Sequence, residues 1–386
     1  MTFQVDKEKG FGLRRSYLEK ARRIVVKVGS AVLTGAEGLD AGVLENLARE
    51  LAFLIDSGRQ VILVSSGAVA AGKKRLELPM DRELGLKEKQ GAAAVGQSRL
   101  MHAYENVFDQ LGYKVAQVLL TRDDLSHRDR YLNVRNTILT LLEWGIVPII
   151  NENDTVSVEE LRFGDNDTLG ALITNLIEAD LFICLTDVES LYTDNPNQDA
   201  GAKQVYTVAR VDKKVEEMAG HVVGALGTGG MRSKIKAARM VSARGGSSFI
   251  GSGRMKAIVQ QLFKGEPVGT FFLPKAEKMQ SRKHWIAYVL RPKGSLVLDK
   301  GACKAVVDSG KSLLPSGIIE VRGNFGVGAS IQCLDEKDNV IAAGLTNYNA
   351  VDLGRIMGVK TSEIEKILGY KDSDEVIHRD NLVVLQ

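Results

Sequence analysis

Cysteine is scarce in this chain. Its 386 residues include three, at 184, 303 and 333, spaced neither as a disulfide framework nor as a metal-ligand set. That usage fits a reducing compartment. Cys184 falls inside an apolar run and reads as core. The five histidines form no cluster, which argues against a zinc site. No stretch approaches the ~20 apolar residues of a membrane span, and the N-terminus carries no apolar signal-peptide core. A cytoplasmic protein without a membrane anchor is therefore expected. The net charge of +3 is too small to imply a polyanionic partner. Two nucleotide signatures are also missing. With no G-x-x-x-x-G-K-[ST] and no strand-linked G-x-G-x-x-G, a phosphate site here is neither a P-loop nor a dinucleotide fingerprint.

Apolar residues make up 44% of the sequence, and the length allows two domains. Residues 1–22 form a basic lead-in, expected as a solvated helix or arm ahead of the first strand. From residue 23 short β-branched runs alternate with longer amphipathic or alanine-rich stretches. The runs are Ile24–Val28, Val61–Ser65, Tyr113–Leu119, Ile146–Ile150, Leu181–Leu185 and Ser248–Ile250. That rhythm predicts βαβ units, giving an α/β domain whose mostly parallel open sheet is sandwiched by helices. Residues 274–292 read as irregular and basic. Beyond them, short alternating runs with glycine punctuation predict a small all-β barrel or sandwich, a helix over Ser362–Leu368 and a last strand over Leu382–Leu385. The expected domains are 23–278 and 279–386.

Two acidic stretches stand out: Asn151-Glu152-Asn153-Asp154 and Gly164-Asp165-Asn166-Asp167. They place four carboxylates and three carboxamides within seventeen residues. The first follows a buried-strand pattern, and the carboxyl ends of strands are where open α/β sheets bind ligands. A cradle for a small polar ligand is one reading. Turns and helix N-caps are the other, with Asp167-Thr168 a possible cap. Lys27 interrupts an apolar strand, which is costly unless it is paired, faces a ligand or snorkels at an edge. Gly29 beside it suits close phosphate approach. Ser65-Ser66-Gly67 opens a helix, either as an anion-binding N-terminus or as ordinary capping by Ser66. Lys234, in the first turn after Gly227-Thr228-Gly229-Gly230, opposes the helix dipole and so calls for an anionic partner. Thr186-Asp187 ends another strand, as a hydroxyl-binding pair or a turn. The combination suits phosphoryl transfer, which depends on positioning and charge neutralisation.

These residues resemble the bacterial glutamate 5-kinases of the amino acid kinase superfamily, which carry a C-terminal PUA domain. The resemblance runs from about Arg23 to Gln386. It rests on VVKVGS (25–30), VSSGAVAAG (64–72), AAVGQSRL (93–100), INENDTVS (150–157), GDNDTL (164–169), LTDVESLYT (185–193) and GTGGMRSK (227–234). It implies the amino acid kinase fold followed by a PUA barrel. It also implies ATP-dependent phosphorylation of the γ-carboxylate of L-glutamate, with Mg²⁺, as the first step of proline biosynthesis. By the family's pattern Lys27 and Lys234 fall on the transferring phosphoryl group, with Asp167 orienting both. Ser66, Asp154 and Asn166 fall on glutamate-binding positions, with Asp165 close by. Thr186, Asp187 and the loop Thr228, Gly229, Gly230, Met231, Arg232, Ser233 and Lys234 fall on nucleotide-binding positions. No side chain is assigned to the metal, which the ATP phosphates would carry.

The resemblance further implies a homo-oligomer (dimer or tetramer), proline as a feedback inhibitor and a glutamate-5-semialdehyde dehydrogenase as a partner for the labile product. Many PUA domains bind structured RNA. Residues 283–386, however, hold thirteen basic and thirteen acidic side chains, without the basic surplus of a nucleic-acid module. A structural, oligomeric or regulatory role is expected there instead. The competing readings are an RNA-binding protein with a vestigial kinase domain, or a kinase for aspartate, acetylglutamate or a nucleotide.

Overall fold

The computed structural model describes residues 6–35, 38–157, 165–196, 198–199, 201–220, 230–275 and 279–385. The chain divides into two compact units, Met1–Lys278 and Met279–Gln386.

The strands of the larger unit, in chain order, are β1 (Arg23–Val28), β2 (Thr34–Gly35), β3 (Gly38–Leu39), β4 (Gln60–Ser65), β5 (Val115–Leu120), β6 (Val147–Glu152), β7 (Leu181–Thr186), β8 (Thr207–Val208), β9 (Ser247–Ser252) and β10 (Thr270–Phe272). Apart from the β2–β3 hairpin they form one sheet, ordered β5-β6-β4-β1-β7-β9-β10-β8. Every neighbouring pair is parallel except β9–β10. Ile24, Val25, Val26 and Val28 of β1 are fully buried. A strand covered by helices on both faces reads as an unbroken apolar run, as this one does.

The helices of this unit are α1 (Lys7–Lys20), α2 (Ser30–Leu33), α3 (Ala41–Asp56), α4 (Ala68–Arg75), α5 (Leu86–Asp109), α6 (Arg122–Ser126), α7 (Arg128–Glu143), α8 (Asn166–Leu176), α9 (Lys213–Gly220), α10 (Met231–Ala243) and α11 (Ile258–Lys264). The alanine- and glycine-rich composition of α4 and α5 has a packing cause. A Cβ on Gly72 would lie 1.8 Å from the Ala92 carbonyl oxygen, and one on Gly96 1.8 Å from that of Ala68. The two helices meet backbone to backbone, which fixes where α4 begins after β4.

Of the solvated helix or arm expected for the lead-in, the helix is found, with one stripe of it packed. Asp6 caps α1 by accepting from Glu8 and Lys9 N–H, and Gly10, Arg14 and Leu18 form its buried stripe. A Cβ on Gly10 would sit 2.8 Å from Thr207 Oγ1 on the edge strand β8. Arg14 donates to the Val268 carbonyl at 2.9 Å and lies over the Phe11 and Phe271 rings. Burial lowers its pKa to about 10 against an opposing pull from Tyr206. A stripe built from glycine and arginine has no hydrophobic periodicity, so the sequence pattern does not reveal this packing.

The smaller unit contains β11 (Gly294–Leu298), β12 (Ile318–Gly323), β13 (Ser330–Leu334), β14 (Val340–Leu345) and β15 (Leu382–Val384), ordered β12-β11-β13-β14-β15. The β11–β13 pair is parallel and the others are antiparallel. Leu296, Ile331, Cys333, Ile341 and Tyr348 are central to its core. The stretch expected to be irregular instead holds a turn of helix, Ser281–His284, continued by a π-helix, Trp285–Val289. Short helices over Lys300–Val307 and Ala350–Ile356 also accompany the sheet. Among the described residues no helix is long and apolar enough to cross a membrane.

Candidate active site

The site forms around the carboxyl end of β1, which lies mid-sheet between β4 and β7. Lys27 is therefore not an edge lysine. It is 6% exposed, and its Nζ sits 2.5 Å from Asp167 Oδ1. Asp167, fully buried in the first turn of α8, holds a second ammonium on its other oxygen, with Lys234 Nζ of α10 3.3 Å from Oδ2. Two further donors complete its shell. Ser233 Oγ donates to Oδ2 at 2.6 Å, and the Cys184 thiol donates to Oδ1 at 3.4 Å. Gly170 permits the approach, because a Cβ there would meet the Phe182 ring at 2.6 Å and Lys27 Cβ at 3.4 Å.

The electrostatics follow from this packing. Burial disfavours charge on Asp167, but Lys27 and Lys234 outweigh it and hold the carboxyl below its usual range. Burial likewise opposes charge on Lys27, and Asp167 overcomes it, so the ammonium lies above its usual value. Burial, reinforced by Asp167, pushes the Cys184 thiol up to about 12. Cys184 therefore stays protonated as a donor.

One residue before the lock, Asn166 Nδ2 donates to the Ser65 carbonyl at 2.9 Å, Ser66 Oγ at 2.7 Å and Asn151 Oδ1 at 3.0 Å. Asn151, 3% exposed, donates in turn to Gln97 Oε1 of α5 at 2.9 Å. The Ser65 hydroxyl is paired with the buried Tyr104 hydroxyl at 2.8 Å. Asp165 is the N-cap of α8, accepting from Thr168 N–H at 2.7 Å. Burial, and then the Asp167 charge, raises its carboxyl pKa. The cap thus falls on Asp165 and leaves Asp167 for the lysines. Ser66 is not a cap either. Gly67, at φ +106°, is the N-cap residue of α4 and makes no side-chain bond there.

Asp154 lies half-buried in the turn after β6. Thr186 is buried at the end of β7 and its hydroxyl donates to Asp187 at 2.9 Å. Gly230 is the N-cap of α10, and the Ser233 N–H turns back to its carbonyl at 3.1 Å. Met231 is buried there and Arg232 exposed. Thr228 and Gly229 lie outside the described residues.

The profile of the Amino acid kinase family matches residues 22–252, and that of the PUA domain matches residues 294–368. The chain is 56% identical over 373 residues to a glutamate 5-kinase of Desulfotalea psychrophila, covering 97% of this chain and 99% of that one. It is 49% identical over 372 residues to a glutamate 5-kinase of Syntrophotalea carbinolica, covering 96% and 100%. The chain belongs to the amino acid kinase family, among the glutamate 5-kinases. The part matched to the amino acid kinase profile contains the whole Lys27–Asp167–Lys234 lock, while α1 and β10 lie outside it.

Several residues of this amino acid kinase site were not singled out by the sequence. Gln97 and Tyr104 lie on a flanking helix, far along the chain from the groups they touch. Asn151 resembled turn-building polarity and Cys184 ordinary core. Gln97 and Asn151 did carry a signal, their places in the AAVGQSRL and INENDTVS signatures, but no role.

Proposed function

We propose that this chain transfers the γ-phosphoryl group of ATP to the γ-carboxylate of L-glutamate, giving L-glutamyl 5-phosphate and ADP. The observation that carries the reading is the pair of buried ammonium groups held on one carboxylate. It lies between the amide-rich network of Asn166 and the N-terminus of α10.

The acceptor carboxylate is ionised at neutral pH, so no general base is required. The barrier lies in bringing two anions together and in stabilising charge spread over the transferring phosphoryl oxygens. Lys27 and Lys234 supply positive charge at fixed positions, and Asp167 orients both and favours the charge on Lys27. Preorganised charge in a dry site is the largest lever for such a step. Gly29 lets the nucleotide phosphates approach closely, and the Gly230–Lys234 helix start offers them N–H groups and the positive end of a dipole. Thr186 and Asp187 complete the nucleotide side. Ser66, Asp154 and Asn166, with Asp165 behind them, form the amino-acid side.

Among the described residues no three His, Cys, Asp or Glu side chains are grouped to hold a metal, and the two acids nearest the lock are already committed, to lysines and to a helix cap. The resemblance assigns Mg²⁺ to the ATP phosphates, where it would neutralise their charge. Within this reading residues 23–278 are the catalytic domain and 279–386 the PUA domain, with a structural or regulatory role. A homo-oligomer, a cytoplasmic location, inhibition by proline and a dehydrogenase consuming the acyl phosphate rest on the family resemblance.

The test is ADP release by purified protein with ATP and Mg²⁺ against a panel of L-glutamate, L-aspartate, N-acetylglutamate and nucleoside monophosphates. Turnover confined to glutamate is expected. Equal turnover with another acceptor rejects the assignment.

A further inference from the structure

Backbone groups leave the amides beside the lock no freedom of orientation. The Ser65 carbonyl can only accept, so the Asn166 atom 2.9 Å from it is nitrogen. The Glu152 N–H can only donate, so the Asn151 atom 2.9 Å from it is oxygen. Carboxamide orientation is often ambiguous, and here two main-chain groups decide it independently. The assignments agree, because Asn151 Oδ1 is also what Asn166 Nδ2 needs at 3.0 Å. The Asn151 nitrogen is then directed at Gln97 Oε1, 2.9 Å away.

The order of donors continues into the site. The two N–H groups of Asn166 are shared among three acceptors, which leaves its Oδ1 as a pure acceptor. Ser66 Oγ accepts from Asn166 and its own O–H can still donate. An acceptor beside a donor matches the ammonium and carboxylate borne by the α-carbon of an amino acid. Asn151 is buried, so losing its Gln97 partner strands a donor away from water. Without that anchor the Asn151 side chain can rotate away, which withdraws its Oδ1 from Asn166 Nδ2 and loosens the Asn166 side chain.

We propose that Gln97, acting through Asn151, is a positioning residue that holds Asn166 as a hydrogen-bond acceptor for the ammonium group of the amino-acid substrate. This role rests on the glutamate-kinase reading above. Among the described residues the hydrogen bond of Gln97 runs to Asn151, on the amino-acid side, so the effect is expected on the amino acid.

The test uses the full-length protein and initial rates of ADP release. Gln97→Leu is expected to raise KM for L-glutamate at least tenfold while KM for ATP stays within twofold. The preference for L-glutamate over glutarate, which lacks the ammonium, should fall by a similar factor. Gln97→Glu keeps an acceptor facing Asn151 and should restore KM to within about threefold of wild type. If Gln97→Leu melts below the assay temperature, Gln97→Met gives the same comparison. An unchanged KM for glutamate, an equal rise in both KM values, or an unaltered preference over glutarate overturns the proposal. A wild-type protein inert with glutamate instead overturns the functional reading itself, and this role with it.

Discussion

Asp167→Asn is the most revealing single perturbation. It preserves shape, so no cavity forms, but it removes the one negative charge between two buried ammonium groups. At 2.5 Å and 3.3 Å, the attractions are about 7 and about 5 kcal/mol with an effective dielectric of ~20. Desolvation cancels much of this, and measured losses for breaking a buried pair are ~3–5 kcal/mol. Spread over the unfolding entropy of a unit of 278 residues, that loss lowers the melting temperature by roughly 5–9 °C. Activity should fall further than stability, because Lys27 and Lys234 both lose their orientation and Lys27 also loses the partner that favours its charge. Removing one preorganised electrostatic contact lowers kcat ~10²–10³-fold, and here two are disturbed. The assay is glutamate-dependent ADP release at saturating ATP and Mg²⁺, at a temperature well below the variant's melt. A variant with kcat within threefold of wild type and an unchanged melt refutes the lock.

The pH profile should be flat where the lock is concerned. The Asp167 carboxyl is lowered on folding, so its stabilisation is complete above the unfolded value of ~3.9 and is lost as pH falls through the lowered one. Lys27 is raised, so its contribution is complete below ~10.4 and is lost only as pH climbs through the raised one. Stability and kcat should thus show no transition from this cluster between about pH 5 and 9; a midpoint near neutrality that disappears in Asp167→Asn would contradict it. Asp154→Ala should raise KM for glutamate far more than KM for ATP, and equal rises would remove its ammonium-binding role. Gly96→Ala puts a methyl 1.8 Å from the Ala68 carbonyl oxygen. The melt should drop by the equivalent of ~1–3 kcal/mol or more, and an unshifted melt would show that α4 and α5 are not locked backbone to backbone.

The sheet was legible because buried parallel strands are written as unbroken β-branched runs, and Lys27 was legible because it breaks one. What closes the site was less visible. Ser233 and Cys184 reach Asp167 across 66 and 17 residues of chain, and Gln97 reaches Asn151 across 54. Local pattern carries no record of such contacts. The buried stripe of α1 escaped for a different reason, since Gly10 and Arg14 pack by shape and by stacking on rings rather than by apolar periodicity. In the smaller unit, the helices over Lys300–Val307 and Ala350–Ile356 are two turns long, too brief for periodicity to distinguish them from the runs around them.

The central claim is that this site makes an acyl phosphate on the side chain of glutamate. Hydroxylamine captures such a product as the γ-hydroxamate. With ATP, Mg²⁺ and L-glutamate, the wild-type protein should yield one hydroxamate for each ADP, and Lys27→Ala should yield almost none. ADP without hydroxamate, or hydroxamate formed equally well from aspartate, would contradict the account.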